Sequence, residues 1–372
     1  MNRRELLRTA ALVPFSAVRG TAANDAIKVG LLGAGNRGPF VAGMMAKNTP
    51  ARVVAICDVF EAKFPAAKAT IGVDNPQLYT DFQKMLASDI DAIIIATPVF
   101  LHAEHFEAAL KAGKHIYLEK PASVDVAGCK RIMRAADSAD RKLNITFGFQ
   151  RRHGQVYFKA KKVVDSGAIG QVRLGFARFI KSESLRPNVN RGVLPQTMND
   201  KIKNWSDWKD LSGDLIVENN VHSVDVLNWF LGGRPVSAIG SGGATVKTKG
   251  DSRDHNFVAY EYANGVQGQL SGTTLAPPGY RDVMEQFFGE TGMVETSENH
   301  WRHFKGKGDE VTEKSPRNIT IDSVAEFVGR IQEGKPANTA VRGAESTLTA
   351  ILGRMAMDKR AEVTWDEMMR QG

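Results

Sequence analysis

The sequence predicts an α/β protein. It expects a parallel sheet flanked by helices over the first 150 residues, then an α/β region with a large open, mostly antiparallel sheet. Three observations predict this. Apolar runs and helical segments alternate up to residue 148. One run, Ala92-Ile93-Ile94-Ile95-Ala96, is apolar throughout, as a strand buried on both faces must be. Later in the chain, short strand-like runs separated by turns take over, with Asn264-Gly265 between two of them.

The first apolar run, 27–29, leads into Gly33, Gly35 and Gly38, spaced G-x-G-x-x-G, and then a helical segment over 39–46. In a strand-turn-helix unit Gly33 permits the tight turn, Gly35 lets backbone approach a pyrophosphate, and Gly38 lets helix pack on strand. Asn36 and Arg37 belong to the same loop, whose free N–H groups face a diphosphate. The second strand, Val53-Val54-Ala55-Ile56-Cys57, ends in Asp58, twenty residues after Gly38. A carboxylate there holds the adenosine ribose hydroxyls. Its charge repels a 2′-phosphate, and no arginine follows at 59 or 60, so NAD is favoured over NADP.

A helix is expected over 61–70 and another from Tyr79-Thr80-Asp81-Phe82 to about residue 88. The apolar strand after it ends in Thr97-Pro98, and His102 opens a helix stopped by Gly113. Ligands of open α/β sheets lie beyond the carboxyl ends of strands, which places Thr97, Pro98 and His102 at the cofactor. His115-Ile116-Tyr117-Leu118 ends in Glu119-Lys120-Pro121. Pro121 keeps Lys120 extended over the same crevice, where a lysine can share a proton with a substrate hydroxyl. A strand over 143–148 leads into Phe149-Gln150-Arg151-Arg152.

These segments together resemble the glucose-fructose oxidoreductase/inositol dehydrogenase family, Gfo/Idh/MocA. Val99 departs from it, since relatives often carry Asn after the Thr-Pro pair. The resemblance implies a Rossmann domain over 24–150, a substrate-binding and oligomerisation domain over 151–345, and a C-terminal helix and tail over 346–372. It places Glu119, Lys120 and Gln150 at a tightly bound NAD and Arg151 at a small carbohydrate substrate. The implied reaction moves a hydride between nicotinamide and a hydroxyl-bearing carbon of a sugar, cyclitol or glycoside. Two alternatives stay open: an NAD-dependent glycosidase working by transient oxidation and elimination, and a non-catalytic dinucleotide sensor.

In the second half a helix over 155–165 ends at Gly167, and a strand spans 172–179. Residues 182–213 are long and irregular, with Trp205 and Trp208 either stacking on a sugar ring or pinning the loop. A helix ending at Gly232 would put Glu218 and His222, four apart, on one face, with Asn219 beside them. This segment resembles the family's second catalytic motif, an Asp and a His four residues later that meet the lysine of Glu-Lys-Pro. Glu218 stands in the Asp position. His222 is then the general base, Lys120 polarises the same oxygen, Glu218 orients them, and Asn219 contacts substrate. Asp225 supports His222 or the domain interface. Strands over 256–262, 266–273 and 283–288 build the open sheet, and helices cover 322–333 and 345–359, the second packing back on the first domain. In the family such a sheet pairs subunits, which implies a homo-oligomer, dimer or tetramer.

Length and composition set the class. A chain of 372 residues suggests two domains, and 42% hydrophobic with 24% charged residues is ordinary for a globular protein. Of the formal charge of +8, four arginines less Glu5 place +3 in the first 23 residues. The rest has no basic run with interleaved aromatics, which argues against nucleic-acid binding. Cys57 and Cys129 suggest no disulfide framework, and no Cys/His cluster has metal-ligand spacing, so no metal is expected. Residues 1–23 carry Arg3-Arg4, a modest apolar stretch and small residues ending at Ala23. This resembles a twin-arginine export signal and implies a periplasmic protein; otherwise it is a basic arm on a cytoplasmic one. No apolar run is long enough to span a membrane.

Overall fold

A computed structural model describes residues 26–183, 195–246, 250–306 and 308–371. The export-signal reading falls on residues 1–23, outside the described residues. Six parallel strands form the first sheet: β1 (Lys28–Leu32), β2 (Arg52–Cys57), β3 (Gln77–Tyr79), β4 (Ala92–Ile95), β5 (His115–Leu118) and β6 (Ile145–Phe147). Their order is β3-β2-β1-β4-β5-β6. Strand order reverses between β1 and β4, and that switch opens a crevice at the carboxyl ends. The side chains of β4 are fully buried, as its unbroken apolar run requires.

Two local readings change. The helix expected from Tyr79 is an edge strand plus a short helix, Phe82–Leu86. Asp81 accepts a hydrogen bond from the Gln83 N–H, so the helix starts only after it and Tyr79 is left to pair with β2. The helix Val126–Asp137 was not anticipated; Asp125 caps it through the Gly128 N–H.

Nine strands form the second sheet: β7 (Val172–Lys181), β8 (Pro235–Gly243), β9 (His255–Tyr262), β10 (Gln267–Thr273), β11 (Arg281–Gly289), β12 (Met293–Thr296), β13 (His300–Gly306), β14 (Asp309–Lys314) and β15 (Val363–Thr364). The order is β14-β13-β12-β11-β7-β10-β9-β8-β15, and among the described residues only β7 and β10 pair in parallel. Helices Gln155–Asp165, Val221–Leu231 and Ala340–Lys359 cover one face. The other face carries exposed Ile239, Phe257, Phe288 and Phe304.

The domain limits at 150 and 345 do not divide the packing. Helix Ile319–Gln332 closes the first core, where Val324 and Phe327 meet Val29 and Leu31. Tyr117 and Ser323 share a hydroxyl hydrogen bond of 2.9 Å across this contact. Helix Ala340–Lys359 runs unbroken through residue 345 and wedges between the sheets. Its Gly343 lies so close that a Cβ there would sit 2.4 Å from Phe147 Cδ1. Thr347 Oγ1 accepts from the Ala122 N–H, and Ser346 donates to Asp225. An apolar stripe looks the same in sequence whichever sheet it covers, so the return of residues 319–332 to the first domain was not legible.

Candidate active site

The glycine loop turns tightly at the end of β1. Gly33 has φ of 103°, a conformation that favours glycine, and a Cβ there would lie 2.5 Å from the Ala96 carbonyl oxygen. A Cβ at Gly38 would lie 2.1 Å from the Gly33 carbonyl oxygen. Gly35 faces open space, with only the Lys63 ammonium near, 4.0 Å from its Cβ position. Asp58 accepts from the Ala34 N–H (2.8 Å) and the Phe60 N–H (2.9 Å), one on each oxygen. Each oxygen keeps acceptor capacity for a ribose hydroxyl. Gln150 Oε1 and Glu119 Oε2 are buried without a partner among the described residues. An open cradle, a fixed carboxylate and two orphaned acceptors fit a dinucleotide.

Arg37 and Glu119 pair with each other, Arg37 Nε lying 3.0 Å from Glu119 Oε1. This ties the glycine loop to the end of β5. Thr97 directs its hydroxyl at His105 Nδ1, 3.0 Å away, and Pro98 precedes a turn over Val99–Leu101. His102 does not face the crevice. It is buried, with Nδ1 2.6 Å from the Pro121 carbonyl and Nε2 2.9 Å from the Thr97 carbonyl. His102 therefore braces the loop after β4 against the loop after β5, and the expectation that it contacts cofactor is corrected.

Lys120 reaches into the second domain. Its Nζ donates to the Glu218 carbonyl oxygen (2.5 Å) and lies 3.5 Å from Glu218 Oε1. The bond from Lys120 to Pro121 is cis. Glu218 ends the short helix Leu215–Glu218, whose start is fixed by Asp214. Asp214 is fully buried with φ of 85°, and its carboxylate accepts from the Leu215 N–H and from Arg253. The continuous helix expected through Glu218 and His222 is broken. Asn219 and Asn220 separate Leu215–Glu218 from Val221–Leu231. The chain turn, rather than helical spacing, brings the two functional side chains to one cleft.

Asn219 Nδ2 bridges two carboxylates, Glu218 Oε2 at 3.2 Å and Glu183 Oε2 at 3.5 Å. Lys181 pairs with Glu183 at 2.5 Å. Lys181 and Glu183 were missed because the sequence reading ended β7 at Phe179, two residues short. His222 is buried, its Nδ1 has no partner among the described residues, and its ring meets Phe149 edge-on at 6.1 Å. Burial, then the charges of Lys120, Arg151, Arg37 and Lys181, hold its pKa well below the usual histidine value. It is neutral near pH 7. Burial alone would raise the pKa of Glu218, but Lys120, Lys181 and the Asn219 amide outweigh it, and Glu218 stays ionised.

Three further expectations change in detail. Arg151 lies behind the cleft: it is 1% exposed and donates to Ser223, Glu285 and Glu298. Its charge reaches His222, but both terminal nitrogens of its guanidinium are engaged. Asp225 holds Arg152 at 2.8 Å and Ser346 at 2.7 Å, supporting the domain interface rather than His222. Trp205 opens the short turn Trp205–Asp207 and Trp208 follows it; Lys203 just before lies over Phe60, and helix Lys209–Ser212 just after packs on Val99–Leu101. Lys201 covers the Trp208 ring at 4.8 Å.

Residues 27–147 match the model of an oxidoreductase family with an NAD-binding Rossmann fold, GFO_IDH_MocA, and residues 157–295 match the GFO/IDH/MocA C-terminal domain. The chain belongs to this family. It is 30% identical to the inositol 2-dehydrogenase of Rhizobium meliloti over 72% of this chain and 74% of that one. It is 23% identical to the myo-inositol 2-dehydrogenase of Thermotoga maritima over 92% of this chain and the whole of that one. A levoglucosan dehydrogenase solved with NADH and levoglucosan shares the fold at TM-score 0.78 and 20% identity, covering 91% of this chain and 99% of that one. The scyllo-inositol dehydrogenase of Lactobacillus casei, solved with NAD(H) and scyllo-inositol, does so at 0.71 and 23%, covering 92% and 99%. The crevice of the first domain is thus an NAD site, and the chain is an oxidoreductase of this class.

Proposed function

We propose that this protein is an NAD-dependent dehydrogenase that oxidises a secondary alcohol on a polyhydroxylated ring, a cyclitol before a sugar or glycoside. The meeting of Lys120, Glu218 and His222 at the carboxyl edge of the NAD-binding sheet carries this reading. Bound NAD supplies the hydride acceptor. His222 takes the hydroxyl proton that must leave with the hydride, since its ring is neutral beside Lys120. Lys120 donates to the same oxygen and stabilises its developing charge. Glu218 fixes Lys120 through both its carbonyl and its carboxylate. Asn219, Glu183 and Lys181 alternate donors and acceptors beside this centre, which suits neighbouring hydroxyls on one ring. The inositol and levoglucosan specificities of the relatives named above support the same class.

The test is a panel of myo-inositol, scyllo-inositol, levoglucosan, hexoses and aryl glycosides with NAD, followed by NADH absorbance. A polyol that yields NADH supports the reading. Phenol release from an aryl glycoside without NADH would move the assignment to glycoside cleavage. NAD binding with no product from any member would favour a sensor.

The proposal includes a homo-oligomer joined through the open sheet face, supported by exposed Ile239, Phe257, Phe288 and Phe304. It also includes export through the twin-arginine route, supported by Arg3-Arg4 and the small residues up to Ala23. An uncut protein confined to the cytoplasm on fractionation would refute export.

A further inference from the structure

Residues 198–213 of the second domain cross the carboxyl edge of the first sheet and touch three strand ends in turn. Lys203 Nζ lies 5.7 Å from the centre of the Phe60 ring, just beyond β2 and Asp58. Helix Lys209–Ser212 packs on Val99–Leu101, just beyond β4. Gly213 reaches the loop after β5, where Arg354 Nη1 donates to both the Val124 carbonyl (2.7 Å) and the Gly213 carbonyl (3.1 Å). This path follows the mouth of the crevice from its adenosine end inward.

The segment is held from behind. The Asp207 carbonyl accepts from the Asp251 and Ser252 N–H groups, each at 3.1 Å, and the Lys209 N–H donates to Asp251 at 2.7 Å. Thr197 caps helix Met198–Lys203 through the Asp200 N–H. Its free side therefore faces the Rossmann domain. There Phe60 is bracketed by two ammonium groups, Lys203 from the second domain and Lys63 at 5.3 Å from the first. Lys63 is also the group nearest the open side of Gly35, where a pyrophosphate would lie. Neither lysine belongs to the glycine pattern.

We propose that residues 198–213 are a strap that retains the adenosine diphosphate half of the cofactor, with Lys203 on Phe60 as its latch and Lys63 as an added phosphate contact. The proposal rests on the NAD reading and deepens it. A strap rooted in the substrate domain must lift before the dinucleotide leaves, so the cofactor leaves more slowly than it would from an open crevice.

The test measures release rather than activity. NADH-loaded protein is mixed with excess NAD, and loss of energy transfer from tryptophan to NADH is timed. Lys203→Ala should release NADH about twofold to fivefold faster, the range expected of a lost exposed cation–π contact. Lys203→Arg should keep the slow rate, and Lys305→Ala on β13 should match wild type. Trypsin cleavage after Lys201 and Lys203 should slow when NAD is added. Equal release from wild type and Lys203→Ala, or cleavage unaffected by NAD, overturns the strap. No NADH binding by wild type overturns the cofactor reading itself.

Discussion

Replacing Glu218 by Gln removes one charge and little volume. Glu218 Oε1 lies 3.5 Å from Lys120 Nζ, and the side chains of Lys120 and Glu218 are 12% and 25% exposed. Unit charges at that distance attract by about 5 kcal/mol at an effective dielectric near 20. Water at the partly open carboxylate and the cost of desolvating both groups remove most of this. A hydrogen bond to a charged group is worth about 1.5 kcal/mol net, which is about tenfold in rate. The second hold on Lys120, the Glu218 backbone carbonyl at 2.5 Å, survives the substitution. Glu218→Gln should therefore lower kcat about tenfold at saturating NAD, with KM changed less. Steady-state NADH formation on the best polyol of the panel measures this, with thermal melting to confirm the fold. A kcat within twofold of wild type would refute an orienting role. A loss beyond a thousandfold would make Glu218 the base and displace His222.

Other outcomes follow from the same geometry. His222 is held well below its usual pKa by burial and by Lys120, so kcat/KM should show no inflection near pH 6.5; an inflection there would contradict a neutral buried base. Gly38→Ala forces a Cβ against the Gly33 carbonyl, so NAD binding by calorimetry should weaken sharply and stability fall by about 2 kcal/mol; wild-type affinity would refute the cradle. Glu326 is held down to about 2 by its hydrogen bond to His153, so its contribution is present above pH 4.5 and is lost as pH falls from 4.5 to 2. With a side chain 35% exposed, that contribution is about 1 kcal/mol, and Glu326→Gln should cost it in urea melts at pH 7 and nothing at pH 2. Phe257→Glu should shift light-scattering mass toward the monomer, and an unchanged mass would remove the open sheet face from the interface.

The first sheet was readable because each of its long strands is a distinct apolar run ending in a residue with a task. Asp58, Thr97 and Lys120 mark β2, β4 and β5, whereas the strand order with its switch at β1 is seen only in the fold. What failed is non-local. His102 sits at a strand-end position that suggests a ligand, yet its partners are two backbone carbonyls, one on a loop 19 residues away. Arg151 looks like a cleft residue until Glu285, 134 residues on, takes its guanidinium. The Asn219-Asn220 break was hidden because two polar residues in a helical pattern read as its wet face. Only the fold shows both buried, Asn220 against β10, where a Cβ at Gly272 would meet Asn220 Oδ1 at 2.1 Å. Lys181 and Glu183 lay just past an apolar alternation that stopped being informative at its end.

The central claim is that a carbinol hydrogen passes to NAD while His222 takes the hydroxyl proton. Deuterium at the oxidised carbon of the best polyol tests it, with mass spectrometry of the reduced cofactor. The account predicts one deuterium in the NADH formed by wild type and no labelled cofactor from His222→Ala, which still binds NAD. Unlabelled NADH, or full transfer by His222→Ala at the wild-type rate, would contradict it.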